Sequence, residues 1–303
     1  MTPQEAGKGG RRLVTVATDF SAGAETALSR ALTLPLADGA TLRVLHILPN
    51  VPKRIRPTAH REARVAGERF LGSAREGAGR GRELRWDFDV LEGRHFVEIV
   101  RDVRRSSSEL LVLGRHGRRP LRDLFLGTVA DRVVRTSPVP VLVVNARPTR
   151  AYARPLVAVD FEGASEGLLD ALERVLGPTC TTARAFHAFD VPFESLIAPN
   201  APPRGESDYR RECRERAQSQ IGALLARRGA SAVRYRGVVR SGDPRDAILC
   251  EARRYRADLI ALGTHGRPGI AHALLGSVAE WVVRAGPCDV LEVRPVGFRF
   301  ELP

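Results

Sequence analysis

Glu109-Leu110-Leu111-Val112-Leu113-Gly114-Arg115-His116-Gly117 and Asp258-Leu259-Ile260-Ala261-Leu262-Gly263-Thr264-His265-Gly266 are two statements of one pattern. In each, an acid opens a short apolar run that ends on a glycine, and a second glycine follows three positions later. An apolar run without alternation is what a strand covered by helices on both faces requires. Glycine at its carboxyl end lets the backbone turn sharply and approach a ligand closely, with its N–H groups exposed.

Working outward, the rest of the chain repeats as well. Leu13-Val14-Thr15-Val16-Ala17-Thr18-Asp19-Phe20 answers to Leu156-Val157-Ala158-Val159-Asp160-Phe161, and Val44-Leu45-His46 to Ala185-Phe186-His187, with the aspartates and the histidines each 141 positions apart. Glu92-Gly93 answers to Ser241-Gly242, and the glycine runs to each other, 149 positions on. The change in offset places about eight extra residues between His187 and Gly242, most naturally in the Pro-rich stretch Ala198 to Pro203. A period of this size is that of a whole domain, duplicated and joined by a short polar linker near Ala146 to Arg154. The expected domains are 1–147 and 152–303.

Within the first copy, β-rich runs are expected near 13–18, 41–47, 84–90, 109–113 and 139–144, alternating with helical patterns. Ala24, Ala27, Leu28, Ala31 and Leu32 share one helical face after Ser21, a good N-cap, and Phe96, Ile99, Val100 and Val103 share another after Gly93. Alternating β and α elements predict an α/β fold, here two tandem copies of a doubly wound, Rossmann-like parallel sheet. Pro140 inside the fifth run predicts an edge strand, where another domain can pair. Trp86 and Trp281 are expected to be packing residues, and His46 and His187 hydrogen-bonded structural ones.

The glycine runs continue with one spacing. With nine residues between, Gly117 is followed by Gly127-Thr128 and Gly266 by Gly276-Ser277, and a helical pattern follows each. A helix N-terminus with a hydroxyl N-cap offers unpaired N–H groups and a positive dipole end, which suits a phosphate. Open parallel sheets bind ligands beyond the carboxyl ends of their strands, where strand order reverses, and Asp19 and Asp160 end the first strand of each copy.

G-x-x-G-x₉-G-[ST] after a fourth strand, with an aspartate ending the first, resembles the ATP-binding universal stress protein family, over residues of about 11–145 and 154–295. The resemblance implies a five-stranded parallel sheet in each half. It also implies that Asp19 and Asp160 approach adenine or ribose, while Gly114, Gly117, Gly127, Thr128 and Gly263, Gly266, Gly276, Ser277 hold ribose and phosphates. His116 and His265, third in each loop, could touch phosphate or face solvent. The ligand implied is ATP or another adenine nucleotide, with Mg²⁺ as an optional companion. One departure stands out: Glu162 replaces the hydroxyl that Ser21 supplies after the first aspartate.

Bulk properties narrow the alternatives. The net charge of +13 is carried by arginine, because the only lysines are Lys8 and Lys53, and neither sits in a P-loop context. The arginine pairs are scattered with acids between them, as on solvated helix faces, and this disfavours nucleic acid as a partner. No apolar run is long enough for a membrane span and the N-terminus carries no signal-peptide pattern, so a cytoplasmic protein is expected. Cys180, Cys213, Cys250 and Cys288 form no C-x-x-C pair. The expected function is nucleotide-dependent regulation of protein partners, with pairing of the halves within the chain and homodimerisation as packing options. No catalytic residues and no metal site are assigned; the alternatives are a slow ATP-hydrolysing or phosphotransfer enzyme, and an Arg-rich nucleic-acid-binding protein.

Overall fold

The computed structural model describes residues 11–77, 83–115, 128–161, 165–191, 207–229, 231–264 and 276–295. The first half runs β1 (Arg11–Thr18), α1 (Ala22–Thr33), β2 (Leu36–Leu48), α2 (Arg56–Gly77), β3 (Arg85–Glu92), α3 (His95–Ser106), β4 (Leu110–Gly114), α4 (Thr128–Thr136), β5 (Val141–Val144). The second runs β6 (Pro155–Ala158), α5 (Ser165–Leu176), β7 (Thr182–Phe189), α6 (Asp208–Arg227), β8 (Arg234–Ser241), α7 (Pro244–Tyr255), β9 (Leu259–Gly263), α8 (Ser277–Ala285), β10 (Asp289–Val293). All five expected strands of the first half are present. The Pro-rich stretch Ala198 to Pro203 lies outside the described residues.

Each half is a parallel five-stranded sheet, and the two join into one ten-stranded sheet of order β3-β2-β1-β4-β5-β10-β9-β6-β7-β8. The join is antiparallel, pairing Val143 with Val290, Leu142 with Leu291 and Val141 with Glu292. Leu142 and Leu291 occupy equivalent places in the two copies, so a pseudo-twofold axis passes between them. Pro140 stands one residue before β5, at the edge of its own half, and that edge is where the other half pairs. Its equivalent, Asp289, is the first residue of β10.

Strand periodicity delivers apolar side chains to both faces, as the unalternating runs require. Val14, Val16, Leu110, Val112 and Leu142 pack with α1, α2, α5 and α6, whereas Leu45, Leu111, Leu113, Val141 and Val143 pack with α3, α4, α7 and α8. Ser21 caps α1 as expected, its hydroxyl accepting from Ala24 N at 3.3 Å. α3 and α7 both end on left-handed residues, Ser107 and Arg256, which shows how closely the duplication has been kept. Trp86 packs against the core, but Trp281 departs from expectation: it is 43% exposed on α8, because its position faces away from the sheet.

Candidate functional site

The chain runs from β1 to β2 and β3 on one side, then α3 carries it back across to β4 on the other. Strand order therefore reverses between β1 and β4, and in the second half between β6 and β9, and the carboxyl ends of these strands diverge into a crevice. Asp19 follows β1 there. Its Oδ1 accepts from Ser21 N at 3.1 Å, so it shapes the turn into α1 at this edge. Asp160 follows β6 and accepts from the Ser165 hydroxyl at 3.5 Å.

The residue after each aspartate is a phenylalanine in the left-handed region, Phe20 at φ 60° and Phe161 at φ 65°. Such a conformation is costly for a bulky side chain and persists only where the surroundings hold it. Here the ring packs on a histidine: Phe20 stacks on His46 with centroids 4.3 Å apart, and Phe161 meets His187 in a tilted contact at 4.2 Å. Each histidine Nδ1 donates to the carbonyl at the strand end, His46 to Thr18 O at 2.8 Å and His187 to Val159 O at 2.7 Å. The structural role expected for both histidines is thus met. The backbone strain had no sequence signal, since glycine or asparagine would have been expected at those positions.

Gly114 ends β4 with α1 pressed against it. A Cβ there would lie 2.5 Å from Gly23 O and 2.6 Å from Gly23 C, so only glycine permits this approach. At Gly263 the nearest described atom to such a Cβ is Val293 O at 3.9 Å, and Ala164, which answers to Gly23, lies outside the described residues. α4 opens at Thr128. α8 opens at Ser277, but its N-cap is Gly276, with no side-chain hydrogen bond, so Ser277 is the first helical residue rather than the expected cap. The structure thus brings Asp19, Gly114 and Thr128 to the carboxyl edge of one half, and Asp160, Gly263, Gly276 and Ser277 to that of the other. His116, Gly117, Gly127, His265 and Gly266, like Glu162, lie outside the described residues.

Several residues that sequence reasoning missed tie these edges to the rest of the molecule. Arg115, inside the first glycine loop, donates to Asn145 Oδ1 at 2.9 Å, to Gly286 O at 3.2 Å and to Arg284 O, thereby capping the carboxyl end of α8 in the other half. Burial lowers its pKa. Arg294 returns the arrangement, donating to Val134 O of α4 at 2.8 Å. Between the two helices, Arg135 pairs with Asp131 and Glu280, and Arg284 with the same two acids. Arg43 of β2 binds Asp102 of α3 through two hydrogen bonds of 2.8 and 2.9 Å, and Arg184 binds Glu251 in the equivalent place. An arginine and an acid recurring at matched offsets were the available signal.

Among the described residues no helix is long and apolar enough to cross a membrane. The family model described as "Universal stress protein family" matches residues 10–145 and again 151–294. Universal stress protein E of Escherichia coli is 27% identical over 214 residues, covering 68% of this chain and 67% of that protein. A universal stress protein E homolog of Haemophilus influenzae is 26% identical over 204 residues, and the match spans 65% of each. Among solved structures, a universal stress protein from Archaeoglobus fulgidus shares the fold at TM-score 0.67 and 18% identity, covering 93% of this chain and 97% of that one. The strand order, the twice-repeated loop and the double match together make this chain a tandem member of the universal stress protein family.

Proposed function

We propose that the chain is a cytoplasmic regulatory module that binds an adenine nucleotide, ATP in the first instance, in each of two domains, 1–147 and 152–303. The observation that carries this is the crevice at the strand reversal. There the backbone of α1 lies against Gly114 and α4 begins beyond the same strand, while α8 begins at the corresponding edge of the second half. Backbone donors and a dipole end select for phosphate. Asp19 and Asp160, on the opposite lip, would take the ribose or base, with Gly114, His116, Gly117, Gly127, Thr128 and Gly263, His265, Gly266, Gly276, Ser277 around the phosphates.

Binding rather than turnover is the proposed activity. Bound nucleotide would alter which faces are offered to protein partners. Many of the arginines that give the chain its charge are already engaged by carboxylates, Arg30, Arg43, Arg135, Arg184, Arg228 and Arg284 among them, and this speaks against a nucleic-acid track.

Calorimetric titration tests the proposal. ATP should bind at two sites per chain, and replacing both Gly117 and Gly266 with valine should weaken binding about a hundredfold or more, each decade corresponding to ~1.4 kcal/mol of lost contact. A folded double variant that binds as tightly as the parent would refute the site. Hydrolysis by the parent with Mg²⁺ is expected below about one turnover per second, under the range of ordinary enzymes.

A further inference from the structure

Between the amino ends of α3 and α4 lies a cavity of about 530 Å³ lined by Arg94, His95, Phe96, Val129 and Arg132. Arg132 lies over the Phe96 ring at 5.2 Å, which holds the guanidinium at the cavity wall. Among the described residues neither Arg94 nor Arg132 has an ion-pair partner, unlike Arg135 on the same helix as Arg132, which pairs with Asp131 and Glu280. The acids in the first turns of the two helices are committed elsewhere, Glu98 to Arg101 and Asp131 to Arg135 and Arg284. Arg94 is the N-cap of α3, and its guanidinium, which only donates, leaves the free N–H groups of that helix start uncapped by a side chain. Cationic side chains and a helix start thus face one concavity with no anion among the described residues to satisfy them.

The second half is an internal control. At the places of Arg94, His95, Phe96 and Arg132 it carries Asp243, Pro244, Arg245 and Trp281. Asp243 caps α7 by accepting from Arg245 N at 2.8 Å, and its carboxylate pairs with the Arg245 guanidinium at 2.6 Å. The start of α7 thus carries a carboxylate of the protein where the start of α3 carries Arg94, and the exposed Trp281 stands at the place of Arg132.

Resting on the nucleotide reading above, we propose that this cleft receives the outer phosphoryl groups of the nucleotide held in the first half, which makes that site selective for triphosphate over monophosphate while the second-half site is indifferent. The two features share a helix. α4 begins at Thr128, where the inner phosphates are expected, and Val129 and Arg132 of its first turns line the cleft. At 1.5 Å of rise per residue, Arg132 stands only about 6 Å along the axis from Thr128, within reach of a triphosphate chain. Arginine's fork of donors matches phosphoryl oxygens, and each outer phosphoryl group adds charge for it to meet.

The test titrates the full chain with ATP and with AMP. In the parent, one of two sites should prefer ATP and the other should not distinguish the two. In Arg94→Ala/Arg132→Ala that preference should shrink about tenfold, the scale of one or two charge-assisted contacts in a partly exposed cleft, while AMP binding stays within about twofold. Both arginines are exposed, so the variant keeps its fold. In the converse graft, Asp243→Arg/Trp281→Arg should confer ATP preference on the second site. An unchanged ATP-to-AMP ratio in the first variant, or equal loss of both ligands, overturns the inference with the nucleotide reading intact. A parent that binds neither nucleotide overturns the reading itself, before any variant is compared.

Discussion

Asp289→Ala is expected to lower the unfolding free energy by about 3–5 kcal/mol, the scale on which removing one member of a buried ion pair strands the other. Asp289 opens β10 and is buried. One carboxylate oxygen accepts from Arg30 Nε at 2.8 Å and from the Tyr152 hydroxyl at 2.7 Å, and the other from Asn145 N at 2.8 Å. Arg30 belongs to α1 of the first half, Asn145 directly follows β5 and Tyr152 lies in the linker, so three parts of the chain converge on one side chain. Arg30 also lies 4.1 Å above the Tyr152 ring and donates to Arg150 O at 2.9 Å. Removing the carboxylate leaves a buried guanidinium with no countercharge. Tyr152→Phe deletes only one donor and should cost about 1.5–3 kcal/mol, the value of a hydrogen bond to a charged group. Urea unfolding of the two variants measures both; a loss below about 1 kcal/mol for Asp289→Ala would mean that water reaches Arg30 and the convergence is not a lock.

Glu292→Val is expected to act in the opposite sense, stabilising the chain by about 1–4 kcal/mol at pH 8, as replacement of buried charge by apolar packing does. Glu292 sits in β10 opposite Val141 and is buried, and neither carboxylate oxygen has a hydrogen-bond partner among the described residues. Its equivalent in the first half is Val143, so a β-branched apolar residue already fits this environment. Burial is the main cause that pushes the Glu292 carboxyl up to about 8, against the partial relief of Arg294 and Arg135. Because the folded chain holds this proton more firmly than the unfolded one, stability attributable to Glu292 is fully present below about pH 4.5 and is lost as pH rises to about 8. The stability difference between variant and parent should therefore be small near pH 4.5, grow up to pH 8, and stay level above it. A difference independent of pH over that window would show that the carboxyl is solvated.

Much of the architecture is legible in the sequence because it is periodic. Unbroken apolar runs locate β4 and β9, helical faces locate α1 and α3, and repetition of both at fixed offsets gives the duplication. The glycine of β4 is also readable, since a strand that ends on Gly114 invites close approach, although what approaches it, the backbone at Gly23, is not. What stayed hidden is whatever depends on distant partners. Arg30 and Asp289 are 259 positions apart and nothing in either neighbourhood points to the other. Arg115 looks like loop decoration until the second half is placed beside it. Ser277 fits a capping pattern, yet Gly276 takes the cap because backbone geometry, not residue type, decides where the first helical turn begins.

The antiparallel seam of β5 and β10 also has a consequence for how the two copies can diverge. In an assembly of two identical chains, the same seam would come apart on dilution, and every substitution at it would appear twice. Here residues 145–154 tether the edges, so their effective concentration is in the millimolar range typical of short linkers whatever the abundance of the protein in the cell. A residue can then change on one side alone: proline at 140, aspartate at 289, with a single Arg30 to receive it. Fusion therefore frees the chain from mass action and from enforced symmetry at once, and one copy can specialise while the other keeps its older chemistry.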